Sequence, residues 1–330
     1  MTLLENIRVV DADTHLVEPP SLWSDRMASR WGDLIPHVRT EETGVEVWYV
    51  GDTRLLPVAA TAYAGWKDFS PSYPPTFAEA DPAAWDANAR LKIMDDYGID
   101  AAVLFPNLAV FTTKTLREVG DLALSNEYVR AYNDYQTDWC SADPKRLIPI
   151  TALPIWDLEA SLAEMERCAA QGHRGIIMAQ RPEILGLPQL VDFRWDRLWS
   201  AAQDMQLPVN FHIADSGGGF EYGVERPPEL GRRANFVSSA IPTYIENLKT
   251  VVNLIAAGIC HRFPSLEFVS VESGAGWLPF ALEALDWQWT TGGVHHEHPE
   301  YDLLPSEYFD RQIYGCFWFE RGGLIDAVNR

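Results

Sequence analysis

Residues 9–19 read VVDADTHLVEP. Two β-branched residues run into Asp11, Asp13 and His15, three metal-capable side chains at alternate positions. On a pleated strand, side chains two apart share one face. The stretch therefore predicts a strand ending in a polar row, with Asp13 and His15 nearest its C-terminal end. That pair is a candidate half of a metal site. The competing reading is a polar strand end whose carboxylates brace a loop or cap a helix.

Short apolar runs recur downstream at regular intervals. AAVLF at 101–105, LIPITAL at 147–153, GIIMA at 175–179, LPVNFHI at 207–213, LEFVSV at 266–271 and QIYGCFWF at 312–319 all read as strands. Between them lie segments with apolar residues three and four apart, such as 158–172, 195–206 and 245–263, which is the pattern of a helix with one buried face. Gly98, Gly172 and Gly258 fall where helix ends need a left-handed cap. This alternation implies a parallel sheet with helical crossovers. Seven strands are one short of a closed (β/α)8 barrel, and a doubly wound sheet also fits. The absence of an early GxGxxG disfavours a dinucleotide-binding version.

Residues 36–80 break the rhythm. VEVWYV and TRLLPV flank Gly51-Asp52 as a hairpin, and a proline-rich stretch follows. This is an insertion after the first strand, too small to fold alone, so residues 1–330 are expected to form one domain.

Composition narrows the function classes. Hydrophobic residues at 47% and charged residues at 22% fit a soluble globular chain with a substantial core. The net charge of −21 argues against nucleic acid or an anionic membrane as partner. An anionic substrate would then need local positive charge from a metal or an arginine. No apolar run is long enough to span a bilayer. The N-terminus lacks a basic region before an apolar stretch, and the four cysteines are far apart with no CxxC pair. Both point to a cytoplasmic protein with reduced thiols.

Parallel α/β folds gather functional side chains at the C-terminal ends of their strands. Asp13 and His15 pass that filter. So does His212, after VNF and before the loop ADSGGGFEYG, and so does Glu272, after FVSV and before SGAGW. Two imidazoles with one or two carboxylates suit Zn(II), Mn(II) or Fe(II). Singly, each has a structural explanation; the agreement of three strand ends favours a site. VHHEHPE at 294–300 is richer in histidine, but it sits between a tryptophan-rich helix and an acidic loop and reads as a solvated connection. Arg181, in MAQRP, is the candidate anchor for a substrate carboxylate, with a surface ion pair as its competing role. The glycines at 217–219 lack a GK[ST] continuation and read as loop mobility above the site.

With these residues in hand, the chain resembles the amidohydrolase-related proteins, in the branch that includes aminocarboxymuconate-semialdehyde decarboxylase. The resemblance rests on VDADTHLVEP, LKIMDDYGIDAAVLFP, GHRGIIM, LPVNFH and FPSLEFVSVESGAGWLPFALEALD. It implies a distorted (β/α)8 barrel, one divalent ion (zinc or manganese) and a homodimer. It also implies that Asp13 and His15 are the first-strand ligands and His212 the fifth-strand ligand. Two departures stand out. Glu272 occupies a position where relatives often carry histidine, and the chain ends at GGLIDAVNR, before the expected eighth strand with its aspartate ligand. A truncated barrel is therefore expected.

Three functions fit these expectations. The first is non-oxidative decarboxylation of a small aromatic or unsaturated carboxylic acid, with Glu272 or a metal-bound water as the acid. The second is hydrolysis of an amide or lactone bond, with Glu272 as base. The third is a non-catalytic binding protein on a degenerate barrel.

Overall fold

Strand β1 spans Val9–His15 in a computed structural model that describes residues 8–60, 62, 65–68, 71–119, 121–215 and 228–329. The chain divides into two compact units, Met1–Arg174 and Gly175–Arg330.

In the first unit, β1 leads into three short strands: β2 (His37–Thr40), β3 (Glu46–Val50) and β4 (Thr53–Pro57). They form an antiparallel sheet in the order β2-β3-β4. The hairpin expected from the sequence turns at Gly51, whose φ of +56° suits glycine. The additional strand, β2, is held to that turn by Arg39, whose Nη2 donates to Gly51 O at 2.7 Å. Its sequence, HVRT, carries too short an apolar pattern to announce a strand.

The sheet that carries Asp13 and His15 has the parallel order β1-β5-β6, with β5 at Ile99–Phe105 and β6 at Leu147–Pro149. The helix Ala87–Tyr97 delivers the chain to β5. Asp86 caps its start by accepting from Ala89 N–H, and Gly98, with φ +71°, ends it. The helix Leu122–Cys140 buries Tyr128, Val129, Tyr132 and Trp139. The insertion docks onto this core: Trp23 stacks on Tyr128 at 4.8 Å and meets Trp48 of β3 edge-on at 5.0 Å. Trp23 and Trp48 are at most 1% exposed, and burying a large apolar side chain contributes about 1.5–3 kcal/mol.

The second unit holds four parallel strands in the order β10-β9-β8-β7. They span Ile176–Ile177 (β7), Val209–His212 (β8), Phe268–Val271 (β9) and Ile313–Gly315 (β10). The Phe268 ring of β9 packs against Phe211 of β8 and against Trp199, each with centroids 6.3 Å apart. All seven strands expected from the apolar runs are present, parallel within each unit's sheet and with helices between them, so the fold is α/β.

Candidate metal centre

Along β1 the expected alternation holds from Val10 to Asp13: Val9, Val10 and Ala12 are exposed, while Asp11, Asp13, Thr14 and His15 are half-buried. Its pairing with β5 slips between Asp11 and Thr14, a bulge that re-aims the strand end. Arg90, itself buried, braces that end: Nε donates to Ala83 O at 2.6 Å, Nη1 to Thr14 Oγ1 at 2.9 Å and Nη2 to His15 O at 3.0 Å. The His15 ring lies tilted against Phe111, 5.7 Å between centroids. Its Nε2 stands 3.6 Å from Asp13 Oδ1. Asp11 plays a supporting part, since its Oδ1 accepts the Asp13 N–H at 3.4 Å. Burial holds its carboxyl above the usual range, countered by that backbone bond.

Glu18, three residues beyond His15, was not singled out from the sequence. Its carboxylate is 2% exposed and accepts the Leu108 N–H at 2.9 Å, while Asn107 Nδ2 donates to Leu16 O. The two bonds clamp the segments that follow β1 and β5. Burial pushes the Glu18 carboxyl up to about 7. Only its burial distinguishes it, and the sequence gives no sign of that.

In the second unit, His212 ends β8 with Nδ1 2.7 Å from Ile213 O. A carbonyl only accepts, so Nδ1 carries the proton and Nε2 keeps its lone pair in the neutral ring. That is the tautomer of a histidine that ligates a metal through Nε2. Nε2 faces Glu272 Oε2 at 3.4 Å.

Glu272 follows β9 with φ +56°, a left-handed backbone uncommon for a residue with a side chain of this size. The segment after it is held tightly. Ser273 Oγ donates to Tyr244 O, Trp277 Nε1 donates to Ser273 O at 2.9 Å, and Glu320 accepts the N–H groups of Ala275 and Gly276. At Gly274, with φ +68°, a side chain would also run into the Glu320 carboxylate.

Arg181 follows β7 and lines a cleft of about 730 Å³ together with Gln180, Glu183, Glu246, Lys249 and Asn253. His212 and Glu272 are not among the residues lining that cleft. His295 and His296 are exposed, their rings 3.9 Å apart, and His298 stacks on Tyr301. The glycines at 217–219 lie outside the described residues.

Asp13, His15 and His212 each offer a ligand atom, one carboxylate oxygen and two imidazole nitrogens. By type, such donors suit zinc or manganese. A family model described as amidohydrolase matches residues 10–313. The chain belongs to the amidohydrolase family.

This amidohydrolase is 23% identical to a gamma-resorcylate decarboxylase from Polaromonas sp. over 72% of its own length and 71% of the relative's. It is 23% identical to a 2-amino-3-carboxymuconate-6-semialdehyde decarboxylase from Dictyostelium discoideum, over 74% of its own length and 61% of the relative's. That relative bears out the branch read from the motifs. Two further gamma-resorcylate decarboxylases are matched over only 58% of their length. Among solved structures, an amidohydrolase from Mycobacterium avium subsp. paratuberculosis superposes with a TM-score of 0.72 at 19% identity, covering 96% of this chain and 85% of that one. A 5-carboxyvanillate decarboxylase from Novosphingobium aromaticivorans, solved with bound manganese, gives a TM-score of 0.65 at 18% identity, covering 98% of this chain and 84% of that one. These likenesses establish the fold as that of the amidohydrolases. Among the described residues, no helix is long and apolar enough to cross a membrane.

Proposed function

We propose that this amidohydrolase is a non-oxidative decarboxylase of a small aromatic or unsaturated carboxylic acid, working as one barrel domain over residues 1–330. Asp13, His15 and His212 are its proposed ligands for one divalent ion, zinc or manganese. Glu272 is the proposed catalytic acid and Arg181 the proposed anchor of the substrate carboxylate.

The observation that carries this reading is the His212 tautomer. With Nδ1 bonded to Ile213 O, Nε2 is turned toward Glu272 Oε2, 3.4 Å away, which sets a ligand nitrogen beside an acid–base group. A divalent ion supplies Lewis-acid polarisation of a carboxylate and a neighbouring oxygen. Glu272, about a quarter exposed, retains access to a substrate. In its neutral form it donates a proton to the carbon that bears the carboxylate. The proton is taken up by a π pair of the substrate; the carbon–carbon bond then breaks, its electron pair restores that π bond, carbon dioxide leaves and Glu272 is left ionised. The relatives named as decarboxylases support this direction, and the manganese of the solved carboxyvanillate enzyme supports that ion.

A cytoplasmic homodimer is part of the proposal. The net charge of −21 and the exposed Phe280 and Trp287 side chains are compatible with a soluble chain that pairs through an apolar face.

The test is to incubate the metal-loaded chain with a panel of hydroxybenzoates and unsaturated dicarboxylates and measure released carbon dioxide. Release from at least one member is expected. Hydrolysis of lactones or amides with no carbon dioxide would assign the chain to the hydrolases instead, and inertness towards both panels would make it a binding protein.

A further inference from the structure

Asn247, the first residue of the helix Asn247–Ala256, is fully buried between the ends of β8 and β9. Its Nδ2 donates to Phe211 O at 2.9 Å and to Val271 O at 3.2 Å. These are the carbonyls immediately before His212 and Glu272. Its Oδ1 accepts from Gln180 Nε2, which points the amide's two donors at the two strands. Gln180 is fixed in turn, since its own N–H donates to Asp215 Oδ1 at 3.1 Å.

The chain needs such a brace here because both strands leave the sheet abruptly. Ala214 and Glu272 both have positive φ, 62° and 56°, so the ladder hydrogen bonds of β8 and β9 stop within two residues of the site. Sparsely populated backbone persists only where its surroundings over-determine it. One amide spanning both carbonyls fixes the gap between the strands where His212 and Glu272 project.

We propose that Asn247, oriented by Gln180, is a positioning residue that sets the separation of His212 from Glu272. It touches neither substrate nor ion, and the assignment rests on the metal-site reading given above. Asn247→Asp keeps the side chain's size but replaces the shared donor with an acceptor facing two carbonyls. Gln180→Met leaves both carbonyl bonds intact and removes only the group that orients the amide.

The experiment measures Mn(II) binding by equilibrium dialysis, thermal unfolding, and kcat and KM at saturating Mn(II) on the best substrate of the panel, for the full chain and both variants. Asn247→Asp is expected to bind Mn(II) about tenfold more weakly and to lose kcat by about tenfold to a hundredfold with KM within about threefold, while still unfolding cooperatively. Gln180→Met is expected to show the same split at about threefold, and it decides the matter if Asn247→Asp does not fold. Wild-type affinity and kcat in the folded variants, beside a His212→Ala control that has lost Mn(II), would overturn the positioning role and leave the metal site standing. A wild-type chain that binds no Mn(II) or Zn(II) would overturn the metal-site reading itself, and this inference with it.

Discussion

His212 Nε2 lies 3.4 Å from Glu272 Oε2 across two adjacent parallel strands in which His212 is paired with Val271, the residue before Glu272. The neighbours of this pair are fixed by backbone bonds: Ile213 O sets the His212 tautomer, and the left-handed turn at Glu272 aims its carboxylate back at the ring. The arrangement suits proton delivery beside a cation, and each part of it can be removed separately.

Glu272→Gln keeps the side chain's shape and abolishes its acid chemistry. The variant is expected to retain metal and fold while kcat falls by about 10²- to 10⁴-fold, read from carbon dioxide release. Full activity in this variant would assign the proton to another group.

Glu272→Gly tests the backbone. A left-handed residue with a side chain costs roughly 1–2 kcal/mol, and glycine relieves it at the expense of about 0.5–1 kcal/mol of unfolded-state entropy. Chemical denaturation is expected to show a variant as stable as the wild type or up to about 1 kcal/mol more stable, yet inactive. A loss of more than about 1 kcal/mol would mean that the Glu272 side chain holds the fold rather than burdening it.

The first unit carries two buried titrating groups with opposite pH signatures. Glu18, pushed up to about 7 by burial, holds its proton where the unfolded chain has released it. Its contribution is complete below about 4.5 and is lost as pH rises through about 7. His173 is bonded to Thr137 and Thr151 and is drawn down to about 4 by burial, with Arg167 adding to the effect. Its contribution is complete above about 6.5 and is lost as pH falls through about 4. The two trends oppose each other between about pH 4.5 and 6.5. Glu18→Gln removes one of them. Relative to the wild type it should gain stability as pH rises from 4.5, reaching on the order of 3 kcal/mol by pH 8. A difference that does not vary with pH would show that Glu18 is not protonated in the folded chain.

Arg90→Lys retains the charge but gives up the planar fork that reaches Thr14 Oγ1 and His15 O together. A loss of about 2–4 kcal/mol is expected by denaturation, with weaker metal binding, because buried acceptors at the end of β1 are left unmet. Unchanged stability would show that water or a neighbour substitutes for the guanidinium.

Much of this was legible in the chain itself. β-branched runs ending in Asp13, His15, His212 and Glu272 carried both the strand positions and the candidate ligands, because strand ends and apolar periodicity are local properties. Asn247 was not legible. Its partners Phe211 and Val271 lie 36 and 24 residues away, and inside IENLKTVV it reads as an ordinary polar helix residue. Glu18 was hidden for the same reason, since its burial depends on Asn107 and Leu108 some 90 residues on. The left-handed turn at Glu272 has no glycine to announce it. β2 escaped notice because four residues show too little alternation. Arg181 falls at a strand end as expected, but its position in the chain did not reveal the cleft that it lines.

Asp13, His15 and His212 are the proposed ligands of one ion. The most direct measurement is the metal content of the purified full chain by mass spectrometry, for the wild type and for His15→Ala and His212→Ala. One zinc or manganese per wild-type chain is expected, lost from both variants while each remains folded. A wild-type chain without stoichiometric metal, or a folded variant that keeps its ion after losing either histidine, would contradict it.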